Sequence, residues 1–316
     1  MPVIPDLNIL PKTRDSWSYL YIDHARIEQH HKAIAISHQT GTTPIPIAIL
    51  SDLLLGPGTT ITHAAIQKLA QHDCLVEWVG EESVRFYAAG LGKTRRAHNL
   101  QRQAIAWADP QQHLSIVRRM YEMRFATSIP PNLTLQQLRG HEGRHVRQTY
   151  ATISQETNVP WHGRSYNRAA WQTTDPINRA LSTANSCLYG ICHAAIVALG
   201  YSPGLGFIHT GKLTSFVYDI ADLYKTSTTI PVAFQTVAES ELQLETRVRH
   251  ACRDLFHQTH LLNRLTTDLT KIFDTGAKPP TSTPCFNTDP AVPGNLWDPE
   301  GTVPGGTAHD TSPQTS

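Results

Sequence analysis

The pattern of this chain changes once, near Gly90-Leu91-Gly92, and that change limits its possible folds more than any other feature. Before it, short segments rich in β-branched and aromatic residues read as strands: Trp17 to Ile22, Ala33 to Ile36, Ile45 to Leu50, Cys74 to Val79 and Val84 to Tyr87. Turn signals at Gln39-Thr40-Gly41 and Gly56-Pro57-Gly58 separate them, and one helix interrupts them from His63, with Thr62 as its cap. After it the spacing is helical. Asp109-Pro110 opens a helix with proline at its first position, and Thr134 with Gln137 has the capping-box form. Asp175-Pro176 opens an alanine-rich, buried helix from Ile177 to Leu199 that stops at Gly200, and a long helical region follows a break at Thr226-Ser227-Thr228-Thr229. From about Asp274 the chain turns to Pro, Gly, Thr and Asp, with too few apolar residues to build a core. These signals predict an α+β protein with a β-rich N-terminal domain over residues 1–89 and an all-α C-terminal domain over 90–274. A flexible tail over 275–316 completes it, in which Phe286 and Trp297 could anchor on a partner.

The remaining constraints are mostly exclusions. Length suits two domains, and with 27 basic against 26 acidic residues the net charge of +1 argues neither for nor against a nucleic-acid partner. The start, Met1 to Asp6, lacks a basic region followed by an apolar one, and no apolar run reads as long enough to span a membrane. A cytoplasmic protein without a membrane is therefore expected. Five cysteines, at 74, 187, 192, 252 and 285, form neither a disulfide framework nor a Cys-x-x-Cys pair. The flanks of Cys187, Cys192 and His193 make them buried helix residues rather than zinc ligands.

Chemistry is concentrated in Gly206-Phe-Ile-His-Thr-Gly-Lys212 and the segment Phe216 to Lys225, where an imidazole, ammonium groups and two carboxylates lie on a loop running into a helix. Asp219 and Asp222, three apart, are neighbours on a helix at roughly 5–6 Å between Cβ atoms. Asp219 falls at the edge of the apolar stripe and should be half buried, with Asp222 further toward the polar side. With His209 they make a mixed nitrogen and oxygen set suited to a divalent cation, magnesium or manganese where phosphate supplies the other ligands. They equally fit a solvated helix face beside a loop histidine that touches nothing. Glu142 is similarly open. Gly140 and Gly143 flank it inside a well-capped helix at about 1 kcal/mol each relative to alanine, which asks for a close approach by another backbone or a ligand. Glu142 is either ion-paired with Arg139, Arg144 and Arg147 or part of a metal-dependent phosphodiester site. Lys93 to Arg102 reads as a phosphate-contacting surface or as an ordinary solvated helix start.

Taken in order, five segments resemble the catalytic subunit of the CRISPR spacer-acquisition complex, the CRISPR-associated integrase, in its type I-E branch. They are Gln137-Leu-Arg-Gly-His-Glu-Gly143, Ser186-Cys-Leu-Tyr-Gly190, Gly206 to Lys212, Ser215-Phe-Val-Tyr-Asp-Ile-Ala-Asp222 and Ala251-Cys-Arg-Asp254, with weaker similarity at Pro57-Gly58, His63-Ala-Ala65 and Val84-Arg85. The resemblance spans about residue 10 to 275 and implies a β domain joined to an all-helical domain. It also implies a metal site of Glu142, His209 and Asp222 for Mg²⁺ or Mn²⁺, with Asp219 beside it. DNA contacts are implied for Arg85, Lys212, Lys225, Arg249 and Arg253, and Tyr21 corresponds to an aromatic residue that splits the ends of the incoming duplex. Where relatives carry arginines after the Pro-Gly turn and in the next helix, this chain has Thr60 and Gln67, so part of the DNA path is expected to differ.

The activity so implied is attack by the 3′-hydroxyl of a captured double-stranded DNA fragment on the CRISPR repeat boundary, or by water in nuclease action, with Lys212 neutralising phosphate charge. The implied assembly is a homodimer, two copies of which clamp a dimer of a small ferredoxin-like adaptation protein. A DNA-capturing scaffold without chemistry of its own is the alternative.

Overall fold

The computed structural model describes residues 19–274 apart from 32, 40, 48–49, 51, 73, 82–84, 91–96, 126–128, 131 and 165–173, together with 296–298 and 301–303. Its N-terminal part holds two sheets and one helix. In the first sheet, β1 (Tyr19–Ile22), β5 (Asp52–Leu55) and β7 (Leu75–Val79) run parallel, and β8 (Phe86–Gly90) closes the edge antiparallel to β7. The second has the order β4 (Gly41–Pro46), β3 (Ala33–His38), β2 (Arg26–His30) and β6 (Thr60–Ile61). Helix α1 (His63–Gln71) starts at Thr62, whose hydroxyl accepts from the Ala65 N–H.

The sheet containing β5 is covered on both faces, which decides how its sequence reads. Leu53 and Leu55 join Ile27, Ile34, Ala65, Leu69 and Val76 in a core between the sheets and α1, whereas Leu54 and Val79 face the helical core. Alternate residues thus serve different cores, and Asp52–Leu55 is buried throughout. That double burial hides the strand from a reading based on alternation. Contrary to the expected strand from Ile45 to Leu50, one strand ends at Pro46 and the next begins at Asp52. Pro44 and Pro46 fit in β4 because it is an edge strand.

Helices take over between Gly90 and His98: α2 (His98–Ala108), α3 (Pro110–Phe125), α4 (Leu135–Thr157), α5 (Pro176–Ala198), α6 (Ser215–Asp222), α7 (Thr229–Glu239), α8 (Leu244–Gln258) and α9 (Leu261–Phe273). The expected caps form. Asp109 Oδ1 accepts from the N–H groups of Gln111 and Gln112, the Thr134–Gln137 capping box is reciprocal, and Asp175 Oδ1 accepts from the Asn178 N–H. The long helical region after Lys225 is three helices. Helix α5 is the hub, packed by α6, α7, α8 and α9. Among the described residues it alone is long and apolar enough to cross a membrane, a correction to the sequence reading, yet 67% of its most apolar stretch is buried inside the protein. Cys187 and Cys192 are buried, as expected. His193 stacks on Phe86 of β8, with ring centroids 3.8 Å apart, and burial holds its pKa down to about 4, so a neutral ring joins the two parts.

In the tail, Leu296–Asp298 and Gly301–Val303 pair as short antiparallel strands β9 and β10. Phe286 lies outside the described residues.

Candidate functional site

The site is built around the loop between α5 and α6. Gly206 lets this loop fold back on itself: a Cβ there would lie 2.3 Å from the His209 carbonyl oxygen and 2.7 Å from Ser215 Cβ. Asp219, one helical turn before the end of α6, then ties the loop down. Its carboxylate accepts from the backbone N–H groups of Phe207 (2.6 Å), Ile208 (3.1 Å) and His209 (2.8 Å) and from His209 Nδ1 (2.8 Å). Rather than half buried, Asp219 is 0% exposed, because four donors satisfy it inside the protein. With Nδ1 donating to Asp219, the lone-pair position left on neutral His209 is Nε2, which faces Asp222 Oδ2 at 3.9 Å. The hydrogen bond to Asp219 raises the His209 pKa above its ordinary value against the opposing effect of burial, and the Asp222 charge adds to the rise.

Glu142 reaches the same place from α4. The Tyr121 hydroxyl donates to its Oε2 at 2.9 Å, and Arg124 Nη1 donates to its Oε1. The same Arg124 nitrogen lies 3.5 Å from Asp222 Oδ2, so one positively charged atom bridges carboxylates 80 positions apart in the chain. Lys225 Nζ sits 2.6 Å from Asp222 Oδ1 and brings a second cation to this carboxylate. Burial pulls the Lys225 pKa down, but Asp222 and Tyr189 outweigh it and hold it above the lysine norm, and its ammonium lies 5.0 Å from the Tyr189 ring centroid.

Two expectations about α4 need correction. The arginine paired with Glu142 comes from α3 and not from Arg139, Arg144 or Arg147. No backbone approaches the glycines either: a Cβ on Gly140 would meet nothing within 4 Å, and one on Gly143 only Arg147 Nη1 at 3.5 Å. The helix surface beside Glu142 is open.

A cleft of about 1030 Å³ opens beside His209. Among the described residues, Arg85, Arg164, Lys212, Lys225 and Arg249 line it against one acid, Glu245, with hydroxyl and amide groups between them. Such a surface attracts polyanions. The fold therefore brings Glu142, His209, Asp222, Asp219 and Lys225 together and places Arg85, Lys212 and Arg249 on the adjoining wall. Two residues expected to contact DNA do not line this cleft. Arg253, one turn beyond Arg249, borders a second, smaller cavity and pairs with Asp254 at 2.8 Å. Tyr21 packs its ring against Gly56, where a Cβ would lie 2.2 Å from its hydroxyl oxygen.

Among the described residues, no three His, Cys, Asp or Glu side chains are drawn in tightly enough to form a ready metal cage. The donor set still suits a hard divalent ion. Asp222 stands between Glu142, which it meets through Arg124, and the His209 imidazole, and the atom between the two carboxylates is already cationic.

A family model described as CRISPR associated protein Cas1 matches residues 18–130 and 123–260. This chain belongs to the Cas1 family. The CRISPR-associated endonuclease Cas1 2 of Thermus thermophilus is 55% identical over 304 residues, covering 96% of this chain and 93% of that protein. The CRISPR-associated endonuclease Cas1 of Escherichia coli K12 is 39% identical over 279 residues, covering 88% and 91%. Among solved structures, the TtCas1–DNA complex superposes with a TM-score of 0.79 at 56% identity, covering 84% of this chain and 100% of that one. A casposase bound to its integration product, at 14% identity and a TM-score of 0.53, shares the fold alone. The β-rich part followed by helices is thus the Cas1 fold.

Sequence reasoning assigned no part in the site to Tyr121, Arg124, Arg164 or Tyr189. A signal for Arg124 was present. It continues the row Ile116, Met120, both fully buried, at intervals of four, and an arginine in that position must find a counter-charge. Arg164 is held against α5 by Asn178 and Ser182, a contact that spacing does not reveal.

Proposed function

We propose that this Cas1-family protein is a metal-dependent DNA integrase and endonuclease, which inserts captured double-stranded fragments into a CRISPR array. The observation that carries the proposal is the meeting of Glu142, Asp222 and His209, from α4, α6 and the loop before α6, beside a cleft lined, among the described residues, by five cations and one acid. Similarity to an endonuclease at 55% identity and to a Cas1 solved with DNA supports it.

Glu142, His209 and Asp222 would hold Mg²⁺ or Mn²⁺. Bound there, the ion withdraws charge from a phosphodiester and lowers the pKa of an attacking hydroxyl. The chain's own residues do the rest. Asp219 fixes His209 so that Nε2 faces Asp222, and Tyr121 holds Glu142 from behind. Arg85, Lys212, Lys225 and Arg249 neutralise phosphates along the cleft, Lys212 as a mobile point charge near the reacting linkage. The acceptor attacked by the 3′-hydroxyl of the fragment is the repeat boundary; water in its place gives cleavage. The order of motifs supports the type I-E branch, a cytoplasmic setting, a homodimer and a small ferredoxin-like adaptation partner.

Strand-transfer and DNA-binding assays on Glu142→Ala and His209→Ala test this reading. Joining should fall by about three orders of magnitude or more, as loss of one ligand removes the stabilised charge, while fragment binding stays near wild type. Joining that survives both changes would leave the chain a DNA-capturing scaffold.

A further inference from the structure

We infer that Arg124 is a displaceable internal counter-ion, which neutralises Glu142 and Asp222 in the metal-free protein and competes with the divalent ion for the same two carboxylates. The inference rests on the metal reading proposed above and adds to it a residue that sets metal affinity. It begins from one atom. Nη1 of Arg124 pairs with Glu142 Oε1 and lies 3.5 Å from Asp222 Oδ2, the two carboxylates that would hold the ion.

Charge balance then requires a choice. Glu142 and Asp222 carry two negative charges and Asp219, bound to His209, a third, against the two positive charges of Arg124 and Lys225. A divalent ion entering this group turns the balance positive in a poorly solvated space, and withdrawal of one resident cation restores it. Of the two carboxylates Lys225 touches only Asp222, whereas Arg124 holds both. The competing group is therefore the guanidinium.

The packing agrees. The Arg124 side chain is 6% exposed, yet its Nε is buried without a hydrogen-bond partner among the described residues. An unpaired buried donor is costly, so the pairing of Arg124 leaves part of its fork's bonding unrealised. Arg124 spends one nitrogen on two acids and leaves another unused. Tyr121, from the same helix, holds the other oxygen of Glu142 and would keep that carboxylate in place while the guanidinium leaves.

The test is a titration of the full chain, without DNA, with Mn²⁺ followed by electron paramagnetic resonance of the free ion, alongside thermal melts with and without Mn²⁺. Arg124→Gln should bind Mn²⁺ about tenfold more tightly than wild type. Its metal-free melting temperature should fall, and Mn²⁺ should raise it by more than in wild type. Arg124→Lys keeps a charge on a shorter stem, should fold if the glutamine variant does not, and should fall between the two in affinity. Equal or weaker Mn²⁺ binding by both variants overturns the inference while leaving the metal site standing. Binding by no protein of the set overturns the metal reading together with it.

Discussion

Asp219 and Asp222 lie three residues apart on one short helix in opposite surroundings. Asp219 is sealed from solvent and answered by four N–H donors from the loop it anchors, all within 3.1 Å. Asp222 is met by the charged side chains of Arg124 and Lys225 and, at 3.9 Å, by the His209 ring, with no backbone donor among its recorded partners. A carboxylate whose lone pairs are filled by fixed dipoles serves the fold. One met by charged side chains from other elements can exchange them for another cation. The difference separates the floor of the site, which positions, from its mouth, which is built to change partners.

Substitution of the two acids by asparagine should break the comparison most visibly. In Asp219→Asn, if the remaining oxygen stays with His209, the new amide faces the N–H groups of Phe207 and Ile208, donor against donor. A buried mismatch of this kind costs on the order of 3–5 kcal/mol, readable from the urea midpoint, and the loop should lose protection from hydrogen exchange. Asp222→Asn leaves Glu142 to pair Arg124 and should cost about 1–2 kcal/mol, yet abolish Mn²⁺ binding. Equal destabilisation by both would mean that the two niches differ less than their geometry states. Tyr121→Phe removes one hydrogen bond from Glu142 and should cost roughly 1 kcal/mol in the same assay, with Mn²⁺ affinity weakened several-fold.

The smallest effect is a titration. In metal-free protein the His209 pKa is raised, chiefly by its bond to Asp219, so His209 stabilises the fold fully below its unfolded value of about 6.5. That contribution fades as pH rises through the higher folded pKa. Nuclear magnetic resonance of the His209 ring should show titration above the ordinary histidine value, and Asp219→Asn should bring it down. An unchanged titration in the variant would remove Asp219 as the cause.

What the sequence made legible followed from local chemistry. Thr62, Thr134 and Asp175 cap helices because each satisfies backbone donors within three residues of itself. The shift from strands to helices was readable for the same reason. Strands β2 and β5 were not. The first, Arg26–His30, is largely polar, and the second is buried on both faces, so neither presents a recognisable alternation. Within the site, the segment from Gly206 to Lys225 stood out because its polar residues are close in sequence. Helical spacing put Asp219 at the stripe edge but could not foresee three backbone donors from the preceding loop. Arg249 and Arg253 share a helix face by number, yet the cleft takes the first and leaves the second with Asp254. Pairing of Glu142 with Arg124 crosses from α4 to α3, and only the folded chain brings those faces together.

The account turns on whether Glu142, His209 and Asp222 share one divalent ion, and a crystal of the protein grown with Mn²⁺ addresses this directly through anomalous scattering. The expected map has a peak bonded to one oxygen of each acid and to His209 Nε2, with the Arg124 guanidinium moved out from between the carboxylates and Asp219 still bound to its loop. A peak that misses any of these three side chains, or a fully occupied site with Arg124 still bridging Glu142 and Asp222, would contradict it.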